Sequence, residues 1–494
     1  MPDRLRARDL ALLAGETSST PRHHATVQVV EPGEGGLDYG RLLALVSERI
    51  SFVPRYRQRV QRVPGMLANP MWVDDPHFDL GYHVRRSAVP RPGTQDQLRD
   101  LVARIVSRPL DRSKPLWEFY VVEGLEDGRV ALLSKSHQAL VDGVTTVDLG
   151  QVLLDPDPEH RDLGGDEWRP APRRSAVSLV REAVTDNLLD ARTLVQTLQS
   201  RVDDAGRALE TGLQRSGVLL DAVTAGRPDR ETAISGRHSS QRRVVPVFTD
   251  LADYRLVREV HGGTVNDVVL ATVTGALRSW LMTRHESLGG LRRVRAVAPV
   301  SVIDEEMEAT ILGSQIAPHY VDLPVGEPSP VVRLHQVSYS FTAHHETGRG
   351  VAAERLAGLS GFAPTTFHAV AGRVAAGEPQ RGFQIAVTNV PGPQSPLYAA
   401  GARMVATYPV PPLLPHHLVA VGVTSYDGQV AYGITADRDH VPDADVLGQC
   451  LTEALAELVD TATGLRPRAP RGRRPSRRKP SGGRGPAGEK EKKK

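Results

Sequence analysis

Residues 130–143 read VALLSKSHQALVDG. The first eight, VALLSKSH, have the pattern of a strand entering a turn. Side chains alternate between the two faces of a strand, so His137 and Gln138 are expected to point apart at its end. Outward from this strand the chain mixes periodicities. Residues 40–62 and 95–107 space their apolar groups as helices do, so the surrounding unit, taken as residues 1–170, is a mixed one. Proline-rich GGDEWRPAPRR (164–174) closes it. Residues 176–225 contain no proline and place Leu, Val and Ala three and four apart among charges, as amphipathic helices do, and a polar loop follows at 227–243. We take residues 171–243 as a helical connector and loop.

A second mixed unit is taken as residues 244–465. Its clearest helix is 264–281, with Val268, Val269, Val273, Leu277 and Trp280 on one face. Thr264 and Asp267 are spaced as a capping pair, with Asn266 in the first turn. In VAVGVTSYDGQVAYGITAD (419–437), two apolar runs flank Asp427-Gly428, a dipeptide suited to a type I′ turn, which predicts a hairpin. A last helix is expected over 443–460. The fold class is therefore α/β of the mixed, α+β kind, in two units of similar size.

Composition sets limits. The chain has 494 residues, 40% hydrophobic and only 5% aromatic, so aliphatic side chains must build its cores. Its one cysteine, Cys450, excludes an intramolecular disulfide and a cysteine-based zinc site, as expected of a reducing, cytoplasmic setting. MPDRLRARDLALLAGE lacks the apolar core of a signal peptide, and no stretch approaches the ~18 consecutive apolar residues of a membrane span. Any contact with lipid is expected at a surface. The net charge of +3 is uneven: residues 466–494 hold 13 basic and 2 acidic residues, a local +11, which leaves −8 for the remainder. That tail lacks large apolar residues, cannot pack a core and is expected to be disordered. Its charge suits an anionic membrane or lipid droplet surface, the alternative being a solubilising role. Nucleic acid is not an expected partner.

RPLDRSKPLWEFYVVEGLEDGRVALLSKSHQALVDGVTTVDL (108–149) resembles the segment of the bacterial wax ester synthase/diacylglycerol acyltransferase family that runs from PLDRxxPLWE through HHxxxDG. The likeness extends, in family order, to ALLAGE (11–16), TVNDVVLATVTGAL (264–277), VRAVAPVSV (294–302), VDLPVGEP (321–328), TNVPGP (388–393) and ADRDHVPD (436–443). It implies two chloramphenicol-acetyltransferase-like domains, each a mixed sheet flanked by helices, meeting around a substrate tunnel. It also implies direct transfer of a long-chain acyl group from acyl-CoA, a cosubstrate with no bound cofactor, to diacylglycerol or a fatty alcohol.

That chemistry needs a base for the hydroxyl proton and donors for the oxyanion. The family's catalytic histidine is the second of its pair, and in register with Asp142 and Gly143 that position is Gln138. An amide can hydrogen-bond an alcohol but cannot take its proton. His137 is a substitute base only with a local twist, the alternative being a packed histidine beside the turn. Asp142 is expected to steady the turn and Gly143 to permit its backbone geometry. Asn266 and Asp267 match the family's Asn-Asp pair, against which stands plain helix capping. Thr388 and Asn389 are candidate hydrogen-bond donors to substrate, or plain loop residues. His23-His24, His344-His345 and His416-His417 lack a third ligand at metal spacing and are read as surface or loop residues, so no metal is expected. Against the acyltransferase stand a non-catalytic lipid- or acyl-CoA-binding paralogue and a condensation enzyme acting on carrier-bound substrates.

Overall fold

In a computed structural model, the chain is described over residues 4–33, 36–63, 69–142, 146–159, 168–171, 232–284, 293–301, 316–345, 364–378 and 382–464. Most of the expected connector (172–231), Gly143 and the basic tail lie outside these residues.

VALLSKSH forms strand β6 (Val130–His137), all eight residues buried. It pairs antiparallel with β1 (His23–Glu31) on one side and β5 (Trp117–Glu123) on the other. β4 (Val84–Ala88) runs parallel to β5 at one edge, and β12 (Ala402–Val410) followed by β11 (Tyr398–Ala399) lies beyond β1 at the other. Residues 398–410 therefore leave their sequence neighbours to complete this first sheet.

The two faces of β1 differ. Ala25, Val27 and Val29 pack with Leu98, Val102 and Val106 of α4 (Gln95–Val106). The opposite face carries polar His24, Thr26 and Gln28, all buried. Over it lies the segment leading into the short helix α5 (Leu149–Val152), whose Gly150 carbonyl accepts from Gln28 Nε2 at 2.8 Å. A Cβ at Gly150 would stand 3.0 Å from Ser134 Oγ, so glycine lets this segment lie directly on the sheet.

Helices α1 (Ala7–Ala14), α2 (Tyr39–Ser51) and α3 (Leu80–His83) complete this part of the molecule. The helical spacing over 40–62 holds only to Ser51. Pro54 disfavours helix at the residue before it, and the chain passes through a 3₁₀ turn (Pro54–Arg57) into β2 (Gln58–Gln61), paired with β3 (Met71–Asp74).

The second sheet has the order β7 (Arg242–Asp250), β14 (Gln429–Asp437), β13 (Val419–Tyr426), β10 (Ile385–Val390), β8 (Val294–Ser301), β9 (Ile316–Leu323). β13, β10 and β8 run parallel and the outer pairs antiparallel, so the sheet is mixed. Asp427 and Gly428 at the β13–β14 turn have φ of 44° and 83°, as a type I′ turn needs. One face packs on α6 (Leu251–His261), α7 (Val265–Thr283), α8 (Pro330–His345) and α10 (Ala444–Ala462) in the largest core. The other face meets α9 (Pro364–Gly377), which touches β8, β9 and β10 and also β1 and α5. Helix α9 thus bridges the two sheets. Among the described residues no helix is long and apolar enough to cross a membrane.

Candidate active site

Beyond the end of β6, the Gln138 N–H donates to Arg22 O at 2.8 Å, and β1 and β6 pair His23 with His137 and His24 with Ser136. Directly paired residues project to the same face of a sheet, so His24, Ser136 and Gln138 share one face and His23 and His137 the other.

His137 is wholly buried, and its Nδ1 accepts from the Ala139 N–H at 3.0 Å. The neutral ring then carries its proton on Nε2, 3.7 Å from Glu16 Oε2. Burial holds His137 below the ordinary histidine range, although Glu16 opposes this. Burial likewise works to raise the Glu16 carboxyl, yet its neighbours bring it down to about 2: the His137 ring, the Arg22 N–H at 2.9 Å, and Arg112 at 2.7 and 3.0 Å. With His137 neutral, the Arg22 N–H and the Arg112 guanidinium are what hold the carboxylate. His137 is committed to this network on the far side of the sheet from Gln138.

Gln138 is also wholly buried, and neither its Oε1 nor its Nε2 has a hydrogen-bond partner among the described residues. Its Nε2 stands 3.1 Å from where a Cβ on Gly372 of α9 would be. The next residue, Arg373, reaches back with its guanidinium to Gln138 O at 3.4 Å and Val141 O at 3.3 Å and pairs with Asp9 of α1. Asp142 adds negative charge near Arg373, and its Oδ1 accepts the Thr146 N–H at 2.8 Å. Helix α9 thus fastens the turn that carries the motif.

Between the sheets lies a narrow cavity of about 20 Å³, partly open to solvent. Ala25, Ala375, Ala386, Pro409, Leu414 and Val421 give it apolar walls, and Gly372 lines it beside Gln138. Its polar lining is His24, His368 and Thr388. His24 Nε2 lies 2.7 Å from Asp148 Oδ2, with both side chains buried. The other Asp148 oxygen accepts the Gly150 N–H at 3.0 Å, and the Asp148 N–H donates to Thr366 Oγ1 of α9 at 2.8 Å. His368 Nδ1 is 2.9 Å from Thr388 Oγ1, and burial together with neighbouring His24 pushes the His368 ring down to about 3.

The candidates in the second half separate into two places. Ile385 and Val387 of β10 enter the core beneath α7, whereas Ala386 and Val390 pack with residues of α9. Thr388 therefore faces α9 and the cavity, and Asn389 faces α7, where its Nδ2 donates to Asn266 Oδ1 at 3.0 Å. Asp267 is buried in a capping box: its Oδ2 accepts the Thr264 N–H at 2.9 Å, and its own N–H donates to Thr264 Oγ1 at 3.2 Å. Thr388 lines the cavity, Gln138 lies behind Gly372 at its wall, and the Asn266–Asn389 pair lies across the second sheet from it.

The reading of His23-His24 as surface or loop residues is overturned. Both are buried inside β1, 4% and 2% exposed, because β1 lies between two neighbouring strands. His417 is buried as well, while His416 is exposed. The side chains of His344 and His345 lie outside the described residues. His24, Asp148, His368 and Arg373 escaped the sequence reading. The signal for His24 was present in the polar alternation His24, Thr26, Gln28. Among the described residues no His, Cys, Asp or Glu side chains gather in threes as a metal would need.

A family model described as the wax ester synthase/diacylglycerol acyltransferase catalytic domain matches residues 5–269, and one described as the WS/DGAT C-terminal domain matches 312–459. The chain is 32% identical over 423 residues to probable diacylglycerol O-acyltransferase tgs1 of Mycobacterium tuberculosis, covering 85% of this chain and 88% of that protein. It is 40% identical over 263 residues to probable diacylglycerol O-acyltransferase tgs3 of the same species, covering 52% of this chain and 96% of that one. Among solved structures, the wax ester synthase/diacylglycerol acyltransferase from Marinobacter aquaeolei VT8 superposes with a TM-score of 0.63 at 25% identity, covering 93% of this chain and all of that one. The first condensation domain of the CDA synthetase shares the fold, with a TM-score of 0.53 at 15% identity over 95% and 97% of the two chains.

Proposed function

The chain belongs to the wax ester synthase/diacylglycerol acyltransferase family, and from that we propose that it transfers a long-chain acyl group from acyl-CoA to the hydroxyl of a diacylglycerol or a fatty alcohol. Supporting this is the cavity between the sheets, where apolar walls meet His24, His368 and Thr388, with the unpartnered carboxamide of Gln138 against Gly372 at its wall. Apolar walls suit an acyl chain, and a few convergent polar groups suit the ester-forming atoms.

In this reading Gln138 holds the reacting oxygens by hydrogen bonds, Thr388 and its partner His368 add polar contacts on the opposite wall, and Asp142 and Gly143 shape the turn. Asn266, Asp267 and Asn389 act at the adjoining end of α7, away from the transferred proton. The amide at 138 cannot accept that proton. General-base catalysis supplies about 10²- to 10⁴-fold in rate, equal to about 3 to 5.5 kcal/mol of barrier. This observation favours a second reading, a paralogue that binds acyl-CoA or lipid without turnover.

Purified protein with labelled long-chain acyl-CoA and either diacylglycerol or hexadecanol decides between them. Labelled triacylglycerol or wax ester, increased in Gln138→His, supports the transferase. Acyl-CoA binding with no ester formed, at any enzyme concentration, overturns it in favour of the paralogue. Contact with an anionic membrane or lipid droplet surface through residues 466–494 belongs to the same proposal, with the protein cytoplasmic and peripheral.

A further inference from the structure

We infer that His24, oriented by Asp148, is the group that takes the alcohol proton. The inference rests on the acyl-transfer reading and supplies the base that Gln138 cannot be. Three observations carry it.

The first is placement. His24 and Gln138 share a face of the β1–β6 pair, and His24 lines the same cavity as Gly372, the residue against which the Gln138 amide lies. The second is the state of the ring. A carboxylate only accepts, so the 2.7 Å contact between His24 Nε2 and Asp148 Oδ2 places the ring proton on Nε2. Nδ1 then carries a bare lone pair. That atom is buried and has no hydrogen-bond partner among the described residues. The third is the support behind it. Asp148 is wholly buried and fixed by Gly150 and Thr366, so it keeps the ring in one tautomer and offsets the charge of the imidazolium when it forms.

The other histidines are excluded on the same grounds. His368 lines the cavity, but its Nδ1 is paired with the Thr388 hydroxyl and not with a carboxylate, and burial beside His24 holds it down to about 3. His137 spends its Nδ1 on the Ala139 N–H, and His23, on the face toward α4, donates its Nε2–H to Val106 O at 2.8 Å.

The step balances without a further reactant. The hydroxyl proton passes to His24 Nδ1 as the alcohol oxygen forms its bond to the thioester carbonyl carbon. The C–S bond then breaks, and the imidazolium returns the proton to the departing thiolate, leaving ester and free CoA thiol. His24 touches the reacting atoms. Asp148 acts through it as a positioning residue.

The test uses the full chain in the acyl-CoA and diacylglycerol or hexadecanol assay, comparing wild type, His24→Gln, Asp148→Asn and His24→Gln/Gln138→His. His24→Gln should lower kcat by about 10²- to 10⁴-fold with acyl-CoA binding retained. Asp148→Asn should lower kcat with KM unchanged. The double variant, with a histidine returned at 138, should recover turnover, which also shows that the fold tolerates the loss of His24. Wild-type kcat in His24→Gln overturns the inference while leaving acyl transfer intact. Loss of acyl-CoA binding together with turnover in His24→Gln assigns His24 a structural role and overturns it too. A wild type that binds acyl-CoA and forms no ester overturns both proposals.

Discussion

Gln138 Nε2 stands 3.1 Å from the point a Cβ on Gly372 would occupy, so α9 passes the motif turn closely only because that position is bare. Gly372→Ala would press the amide aside by a few tenths of an ångström. An alanine inside a helix is itself favoured over glycine by roughly 0.5 to 1 kcal/mol. We expect an unchanged or slightly raised Tm with a several-fold lower kcat, measured by thermal denaturation beside the ester-forming assay. A lowered Tm with unchanged kcat would show that the contact is only packing.

Arg373 joins α9 to two carbonyls of the motif turn and to Asp9 of α1. Arg373→Met leaves the buried Asp9 carboxylate without its counter-charge, a loss of about 3 to 5 kcal/mol. Chemical denaturation should show it, and Asp9→Asn on that background should recover part of the stability. Equal stability of Arg373→Met and wild type would remove Arg373 from this role.

Glu16 titrates at about 2 in the folded chain, below its ordinary 4.5. A carboxyl lowered by folding stabilises above its unfolded pKa and loses that contribution as pH falls through the folded one. The stability gap between wild type and Glu16→Gln should therefore be full at neutral pH and close as pH falls from about 4.5 to about 2. Denaturation curves across that window check it, and a gap independent of pH would contradict it.

Residues 466–494 concentrate a charge of +11. A chain ending at Leu465 should lose affinity for vesicles rich in anionic phospholipid, and full-length binding should weaken as salt rises. Co-sedimentation with such vesicles measures both, and salt-independent binding by the two forms would deny the tail this part.

What could be read from the sequence was local. The Thr264–Asp267 capping box, the Asp427-Gly428 turn and strand β6 each depend on side chains a few residues apart, and each formed as expected. The partner of His24 lies 124 residues away, and no short-range spacing announces it. The same holds for Arg373 and Asp9, 364 residues apart. Two adjacent histidines at 23–24 look solvated until the strands on both sides of them are known. The 40–62 segment kept its apolar spacing past Ser51, but Pro54 outweighed that spacing.

The crossover of residues 398–410 ties the fate of the two halves together. Any fragment that stops short of Tyr398 would leave the backbone of β1 open along one side, a ready template for sticking to other chains. Dissecting this protein into independently expressed pieces is therefore a route to insoluble material, and a split version would need the 398–410 ribbon supplied in trans.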